Sequence, residues 1–288
     1  MIYVYPKFRS RIDIGIRIGG MGLANCLLVY ARALCLAKKL NAQMIAPTWE
    51  QFNVGPYLRR ESDKRHYRKL FKKEGITGWK KYFLLNRLRK ISENELSKIE
   101  DLKSQNLLIE VKGVQPYFKD LIAERDFIVE NVLKLVYPFR LKEVHTFSFT
   151  GKIGIHIRLG DYHPSAQKSL AWYVEIIRQI DLHTNCGYEF LLFSDGKAEE
   201  LVQILSYSSR IKNIHFGSAI ADLVALSKCA FIIGSNSTFS AWASFMGDKM
   251  LLIPEPKGYL NDFTGLNYYI LDEEPTLSQE ILSKIALL

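Results

Sequence analysis

The chain has 288 residues, of which 48% are hydrophobic and 24% are charged, a composition typical of globular proteins. Single hydrophobic cores usually stop growing below this length, so two domains are expected. The apolar stretches are far shorter than the roughly 20 residues of a membrane span, which excludes a membrane-embedded class of protein.

Cysteine usage and the first residues both bear on the compartment. The four cysteines lie far apart, and no CxxC pair indicates a zinc site or a redox-active disulfide. Buried free thiols in a reducing compartment are therefore expected. The opening MIYVYPKFRSR lacks the apolar core of a secretory signal. We expect a cytoplasmic protein.

The net charge of +9 is concentrated in one segment. Residues 57–90, called here the basic segment, hold 13 lysines and arginines against 3 acidic residues, whereas the rest of the chain holds 26 against 27. Aromatic residues lie among these cations. The mixture is typical of a solvated face, of nucleic-acid binding, or of an anionic membrane surface, where each cation contributes about 1 kcal/mol. No nucleic-acid motif accompanies it, and peripheral contact with the inner membrane face is one expectation.

The first half of the chain predicts a strand, a glycine turn and a helix in succession. Residues 12–18 alternate apolar with polar side chains, GGMG follows, and residues 23–40 are rich in leucine and alanine. This order presents backbone N–H groups to an anion or a sugar, so Gly20 and Gly22 are candidate binding residues. A tight turn without a ligand is the alternative. Further elements are expected at 42–46 (strand), 107–114 (strand) and 120–135 (helix).

The segment GIHIRLGDYH, at residues 154–163, predicts a strand that ends in a loop. His156 and Arg158 alternate with isoleucines and therefore share one face of the strand, and Asp161 follows just beyond its end. In an open α/β sheet this position borders the ligand crevice. Arg158 is accordingly a candidate for bidentate binding of an anion. The alternative is that Arg158 pairs with Asp161 across a turn.

The rest of the second half alternates helices with strands, which indicates a doubly wound parallel sheet. Helices are expected at 169–180, 197–205, 222–227 and 241–246, and strands at 188–193, 214–216, 230–234 and 250–253. Polar loops follow three of the strands, at 158–163, 194–196 and 235–238. In the last of these loops Asn236, Ser237 and Thr238 open a helix directly after a buried strand, which predicts a phosphate site.

Four blocks of sequence resemble bacterial α-1,2-fucosyltransferases and occur in the same order. They are GGMG with its helix, HIRLGDY, FSD, and DLVALSKCAFIIGSNSTFSAW. The corresponding family patterns are GG-L-G, H-x-R-R-G-D-Y, F-S-D-D and N-S-T-F-S-W-W-G. The resemblance covers most of residues 145–260 together with 14–40, and it does not extend to 50–140. Four ordered blocks are more specific than any one of them.

The resemblance implies a GT-B-type α/β fold, in which two Rossmann-like doubly wound domains face a central cleft. We expect an N-terminal acceptor-side domain over residues 1–145, which carries the basic segment as an insertion, and a C-terminal nucleotide-sugar domain over 146–288. The implied reaction moves L-fucose from GDP-fucose, with inversion and without metal, to a glycan hydroxyl such as the 2-hydroxyl of a galactoside. A lipid-linked glycan is one form of that acceptor.

The family motifs also imply roles for individual residues. By position, His156 and Arg158 correspond to residues that bind the donor pyrophosphate. Ser237 and Thr238 correspond to phosphate contacts at the start of a helix. Asp195, from FSD, corresponds to the carboxylate on the nucleoside side of the donor.

The chain departs from the family patterns at four places. The second arginine of H-x-R-R-G-D-Y is Leu159, the second aspartate of F-S-D-D is Gly196, W-W-G reads Ala241-Trp242-Ala243, and the usual G-N-Q after the glycine turn reads Leu23-Ala24-Asn25. Leu159, on the strand face opposite Arg158, is expected to pack. The other departures border the predicted cleft and concern the acceptor and the donor sugar. Another GDP-sugar, used in surface polysaccharide assembly, is therefore an alternative donor.

The residue types support the same chemistry without reference to a family. Charge on a departing pyrophosphate must be stabilised, and an arginine together with a helix N-terminus can do this without Mg²⁺. No DxD pair, the usual way to hold a metal across a diphosphate, occurs in the sequence. The acceptor hydroxyl needs a general base, for which Asp161 is the first candidate and His163 the second. Orientation of the loop or of Arg158 is the alternative role of Asp161.

Two other functional classes stay open at this point. A non-catalytic GDP-sugar-binding protein would bind GDP without transferring the sugar. A nucleic-acid-binding protein would use the basic segment and would bind with strongly salt-dependent affinity. The four ordered blocks argue against nucleic acid as the partner, because its binding does not need them.

Overall fold

The structure, a computed structural model, describes residues 1–10, 12–13, 15–58, 63–98, 106–160, 167–184, 187–255 and 263–287. The chain forms two compact units that divide after Phe139, and Asp63 groups with the second unit. Each unit is built around a parallel β-sheet flanked by helices, so the predicted α/β class is confirmed. The arrangement of the two domains about a central cleft stays a prediction.

The first unit contains a four-stranded parallel sheet and a small three-stranded sheet. Its strands are β1 (Ile2–Pro6), β2 (Ile12–Asp13), β3 (Arg17–Ile18), β4 (Gln43–Met44), β5 (Gln51–Phe52), β6 (Arg89–Ser92) and β7 (Leu107–Val111). Its helices are α1 (Leu23–Leu40), α2 (Gly55–Leu58), α3 (Gly78–Arg87) and α4 (Arg125–Leu135). The parallel sheet has the order β4-β1-β7-β6, and the small sheet the order β2-β3-β5.

The second unit contains one six-stranded parallel sheet. Its helices are α5 (Lys142–Thr146), α6 (Leu170–Thr184), α7 (Val202–Leu205), α8 (Ala219–Ser227), α9 (Thr238–Gly247) and α10 (Gln279–Ala286). Its strands are β8 (Lys152–Ile157), β9 (Glu189–Ser194), β10 (Ile211–Asn213), β11 (Ile232–Ile233), β12 (Leu251–Pro254) and β13 (Tyr268–Leu271).

The strand order in the second unit is β10-β9-β8-β11-β12-β13, with every neighbouring pair parallel. The chain therefore builds the sheet from β8 in one direction and then crosses back to build β11 to β13 in the other. Strand order reverses between β8 and β11. In open parallel sheets, ligands bind at the carboxyl ends of the strands at such a reversal.

The core of the second unit explains why β8 lies at the centre of its sheet. Residues 153–157 are all buried, as expected for a parallel strand covered by helices on both faces. The isoleucines of β8 pack in one apolar cluster with Trp172, Tyr173, Ile176 and Ile177 of α6. These four residues were predicted to form the apolar side of that helix, and this prediction is confirmed.

Helix α1 has the bounds that the sequence predicts, and its end shows why. Asn41 adopts a left-handed conformation with φ of 48°, and its backbone N–H reaches the carbonyls of Ala37 and Lys38. Lys38 and Lys39 occupy the last turn, where cations interact favourably with the helix dipole. Of the helices within the described ranges, none is both long enough and apolar enough to cross a membrane.

The described cysteines are free thiols, as expected. Cys26 and Cys229 are buried and Cys35 is half-buried. Burial raises the pKa of Cys26 to about 11 and that of Cys229 to about 12, so neither forms a thiolate readily near neutral pH. The fourth cysteine, Cys186, lies outside the described residues.

The prediction of a single strand at 12–18 is wrong. The structure has two short antiparallel strands there, with Asp13 opposite Arg17. Gly15, at φ of +95°, provides the reversal between them. The sequence pattern misled because Gly15 fits the polar side of an alternating strand equally well, whereas here its conformational freedom makes the turn.

Other elements differ in position or were not predicted. The strand expected at 214–216 lies at 211–213, and beyond its end Phe216 packs against Phe147 and Phe149. No element was predicted over residues 2–6, 78–92 or 268–286, where the structure has β1, α3, β6, β13 and α10. Short apolar runs such as β1 are ambiguous in sequence, and the charge of the basic segment hides the periodicity of α3.

The predicted domain boundary after residue 145 and the division after Phe139 differ by one short helix. Helix α5 packs against α8 of the second unit. Phe147 and Phe149, which follow α5, surround Phe216 of the same unit. Residues 140–145 therefore group with the second unit because their apolar partners lie there.

Gly247 tests the packing of α9 against α8. An ideal Cβ at this position would lie 2.0 Å from the backbone oxygen of Ser227, which cannot swing aside. We expect Gly247→Ala to lower the free energy of unfolding by about 1–3 kcal/mol, the usual cost of overpacking. Urea denaturation measures this cost. The control Lys228→Ala, at an exposed residue directly after α8, should stay within about 0.5 kcal/mol of the parent. Equal stability of the parent and Gly247→Ala would contradict the packing described.

Candidate functional site

Arg158 lies directly after β8, at the carboxyl end of a strand that borders the reversal. Its Nη1 atom is 3.1 Å from Oδ2 of Asp195, which follows β9. The side chains are 21% and 23% exposed, so the pair lies at the surface of the crevice and is partly screened from water. The structure thus places a carboxylate partner of Arg158 on the neighbouring strand. The alternative partner, Asp161, lies outside the described residues.

Asp195 also fixes the backbone that follows β8. Its Oδ1 atom accepts hydrogen bonds from the N–H groups of Leu159 and Gly160, at 2.8 and 3.1 Å. One oxygen of the carboxylate thus receives backbone donors and the other receives the guanidinium, both in the strong charge-assisted class of hydrogen bond. This arrangement holds Arg158 in one orientation.

Ser235 links the two strands on either side of the reversal. Its hydroxyl donates to the backbone carbonyl of His156 and accepts from the N–H of Arg158, each at 3.0 Å. The hydroxyl of Tyr173 lies 3.1 Å away. Because a serine hydroxyl has one proton, which His156 receives, Tyr173 is the donor in this third bond. Ser235 is buried, so these bonds are shielded from competition with water.

His156 is buried below the site. Its Nδ1 atom is 2.7 Å from Oγ of Ser240 in α9, and its ring stacks on Phe239 with centroids 4.8 Å apart. Burial, with a smaller effect from the charge of Arg158, lowers the pKa of His156 to about 3, although Asp195 acts in the opposite direction. The imidazole is therefore neutral near neutral pH and joins β8 to the start of α9.

Helix α9 begins where the predicted phosphate loop ends. Ser237 is its N-cap, and its hydroxyl accepts from the N–H of Ser240 at 3.3 Å. The hydroxyl of Ser237 thus serves the helix itself. Asn236 and Thr238 are half-buried on either side of it. The positive end of the helix dipole lies at this point, at the carboxyl end of β11.

Two departures from the family patterns lie side by side. Leu159 is partly buried against the core of the second unit, as expected. An ideal Cβ at Gly196 would lie 2.6 Å from Cδ1 of Leu159. A larger residue at 196 would therefore collide with the leucine, so the two departures fit each other. An apolar contact occupies the place where the family patterns have an arginine and an aspartate.

Gly20 and Gly22 lie in the first unit, where side chains of the same unit approach the turn that they form. Gly20 has φ of +147°, and a Cβ there would lie 2.6 Å from Nη1 of Arg17. Gly22 is the N-cap of α1, and the next N–H, at Leu23, donates to the hydroxyl of Tyr67 at 2.8 Å. The close approach at Gly20 explains why a side chain is excluded there. The role of these glycines in donor binding stays a prediction.

Arg17 has a role that the sequence does not indicate. It is fully buried, with Nε 2.6 Å from the carbonyl of Thr48 and Nη2 3.3 Å from that of Trp49. The guanidinium also lies over the ring of Phe8, at 5.0 Å from the centroid. In the sequence Arg17 looks like the polar position of an exposed strand, whereas the fold buries it, bonds it to residues 48–49 and packs it close to Gly20.

The structure brings most of the predicted residues of the second unit to the carboxyl ends of three neighbouring strands. These residues are His156, Arg158, Asp195, Asn236, Ser237 and Thr238. The candidate bases Asp161 and His163 lie outside the described residues. Sequence reasoning missed Tyr173 and Ser240, since each is distant in sequence from its partner and sits inside an apolar helical pattern.

The geometry favours binding of an anion. A guanidinium held by a carboxylate lies on one side of the reversal, and an N-terminal helix turn lies on the other. His156, which is buried below the pair, is neutral near neutral pH. A diphosphate group fits such a site, because it offers several oxygen acceptors to oriented donors.

Comparison with curated protein sequences gave no match. Among solved structures, the chain is similar to the NodZ α-1,6-fucosyltransferase of Bradyrhizobium soaked with GDP-fucose, with 12% identity, a TM-score of 0.46, and coverage of 85% of this chain and 92% of that one. It is similar to POFUT1 in complex with GDP, with 11% identity, a TM-score of 0.48, and coverage of 86% and 94%. The glycosyl transferase family 9 protein of Veillonella parvula matches with 10% identity, a TM-score of 0.42, and coverage of 100% and 93%.

The sequence itself gives the family. The model of glycosyl transferase family 11 matches residues 113–259, which is more than half of the chain. This range contains β8, β9, β11 and the start of α9, and with them the Arg158–Asp195 pair and the loop at 235–238. The chain belongs to glycosyl transferase family 11.

Proposed function

We propose that this chain transfers L-fucose from GDP-fucose to a hydroxyl of a glycan acceptor, with inversion at the sugar carbon and without a metal ion. The proposal depends on one observation. Arg158 follows β8 and the N-terminus of α9 follows β11, so both lie at the carboxyl ends of the two strands between which the strand order reverses. Membership of the glycosyltransferase family supports the reaction type. The four ordered sequence blocks support fucose as the sugar.

In this proposal the donor diphosphate lies at the carboxyl ends of β8 and β11. Arg158 offers a planar fork of N–H donors to the phosphate oxygens, and Asp195 keeps that fork in place. The first turn of α9, with Asn236 and Thr238, binds the other side of the diphosphate. These groups stabilise the negative charge that develops on GDP as it leaves.

The transfer step needs one further group. A base takes the proton of the acceptor hydroxyl, whose oxygen attacks C1 of fucose from the face opposite GDP. The bond from C1 to the phosphate oxygen then breaks, and GDP departs with the electron pair. Asp161 is the first candidate base and His163 the second. The 2-hydroxyl of a galactoside, free or lipid-linked, is the acceptor that the sequence resemblance favours.

We infer that His156 positions the site and does not contact the donor. It is buried, its ring lies on Phe239, and its Nδ1 bonds to Ser240 of α9. The histidine thus joins the strand that carries Arg158 to the helix whose N-terminus faces the diphosphate. Loss of this bond would shift one of the two phosphate-binding elements against the other.

Titration calorimetry tests the donor and the absence of a metal together. We expect GDP and GDP-fucose to bind in buffer that contains EDTA, because an arginine and a helix N-terminus supply the positive charge. UDP should bind more weakly than GDP. Abolition of binding by EDTA, or tighter binding of UDP, would contradict the proposal.

Arg158→Lys is expected to be far from conservative. Lysine keeps the charge but loses the planar fork, and a charge-assisted hydrogen bond contributes about 1.5–3 kcal/mol. We therefore expect a loss of tenfold or more in the rate of GDP release from GDP-fucose with a galactoside acceptor. Arg178→Lys is the matched control, because Arg178 bonds Glu175 on the exposed side of α6. Near-parental turnover in Arg158→Lys would make Arg158 a structural residue.

The buried state of His156 predicts a dependence of stability on pH. Its pKa is about 3 in the folded protein and about 6.5 in the unfolded chain, so between these values the unfolded chain binds the extra proton. The free energy of unfolding should therefore fall as the pH drops from 6.5 towards 3. His156→Asn should reduce this slope by up to about 1.4 kcal/mol per pH unit. Urea denaturation from pH 4 to 7 measures it. The control is His183→Asn, at an exposed histidine, and an unchanged slope in His156→Asn would contradict burial of a neutral imidazole.

A further inference from the structure

Helix α3, within the basic segment, exposes two large aromatic side chains to solvent. Trp79 is 90% exposed and Phe83 is 63% exposed. They are four residues apart and therefore lie on one face of the helix. The opposite face carries Lys81 and Leu84, which are both buried. The helix is thus anchored by one side and presents an aromatic pair on the other.

The other aromatic residues of the basic segment are less exposed: Tyr57 is 43% exposed and Tyr82 is half-buried. Tyr67 and Phe71 are buried, and Phe71 packs against Trp49 with ring centroids 4.1 Å apart. The sequence alone does not separate these core residues from the exposed ones. On α3 itself, Trp79 and Phe83 are the aromatic side chains that the structure exposes.

Exposed cations lie on α3 and on the stretches that precede and follow it in the chain. The side chains of Lys80 and Arg87 are exposed on α3 itself. The preceding and following stretches expose further basic residues: Arg68, Lys69, Lys72, Lys73, Arg89 and Lys90. Over residues 68–90 only Glu74 is acidic. Exposed aromatic and basic side chains on one helix combine the two features by which proteins bind an anionic lipid surface, namely rings at head-group level and lysines or arginines among the phosphates.

We propose that α3 docks this protein on an anionic phospholipid bilayer, with Trp79 and Phe83 inserted among the lipid head groups and the exposed cations of residues 68–90 on the phosphates. The contact is peripheral and reversible. Its electrostatic part is screened within about 10 Å at 0.1 M salt, so it weakens as salt is added. Helix α3 lies in the first unit, whereas Arg158, Asp195 and the start of α9 lie in the second.

Tryptophan fluorescence tests the insertion directly. The protein has four tryptophans, all within the described residues, and Trp49, Trp172 and Trp242 are each at most 5% exposed. A change of emission on adding vesicles therefore reports on Trp79. With vesicles of phosphatidylcholine and phosphatidylglycerol at low salt, we expect a blue shift of emission and quenching by brominated lipid. Trp79→Phe should lose both signals and should still sediment with the vesicles.

Sedimentation with the same vesicles separates the two parts of the contact. The pair Trp79→Ser and Phe83→Ser, and separately the pair Lys80→Glu and Arg87→Glu, should each reduce the partition coefficient at least tenfold. Leu182→Ser is the matched control, because Leu182 is 70% exposed on α6 of the second unit, and it should leave partitioning unchanged. Retained GDP binding and thermal stability in each variant show that the fold is intact.

Three results would overturn the proposal. The first is equal binding to vesicles of phosphatidylcholine alone, or no binding to the anionic vesicles at low salt. The second is self-association of the protein at micromolar concentration that Trp79→Ser abolishes, which would assign the aromatic pair to a second copy of the chain. The third is displacement of the protein from anionic vesicles by an oligonucleotide that binds the same cations more tightly, which would assign the surface to nucleic acid.

Discussion

The hydroxyl of Ser235 joins the ends of β8 and β11, the two strands between which the order of the second sheet reverses. It bonds the carbonyl of His156 and the N–H of Arg158, with Tyr173 as a further donor. Ligands bind in the crevice between such strand ends. The strand ends must therefore stay at a fixed separation, and no large side chain may occupy the space between them. A small buried side chain that satisfies three partners meets this requirement, and the positions of Arg158 and α9 depend on it.

Around this link, the charges are ordered by depth. His156 is buried and neutral, whereas Arg158 and Asp195 lie at the surface of the crevice, where water still stabilises them. Burial of a histidine costs little when it stays neutral and bonds a serine, while burial of the arginine pair would carry a large desolvation penalty. The site can therefore present the fixed cation of Arg158 at the crevice, while the buried residue below it, His156, is uncharged. Preorganisation of this kind is what electrostatic stabilisation of a leaving group requires.

The first unit shows a different use of a cation. Arg17 is fully buried, donates to the carbonyls of Thr48 and Trp49, and lies so close to Gly20 that a side chain there would collide with it. The basic segment, by contrast, divides between the two sides of α3. Lys81 is buried, and burial lowers its pKa, whereas Lys80, Arg87 and Trp79 are exposed to solvent. A count of charges along the sequence does not distinguish these roles, because they are set by which face of a helix packs.

The sequence by itself determined the α/β class, the helix at 23–40, the buried strand that carries His156, and the polar residues at three strand ends, because periodicity and strand–turn–helix order are local properties. Only the tertiary structure decided that Arg158 has Asp195 as a partner, that Leu159 and Gly196 fit together, and that 12–18 is a hairpin. These outcomes depend on contacts between residues that local patterns do not connect, or on a glycine that suits both strand and turn. The strand order places polar loops that are separate in the sequence next to one another at one edge of the sheet. That order is fixed by the packing of the whole unit.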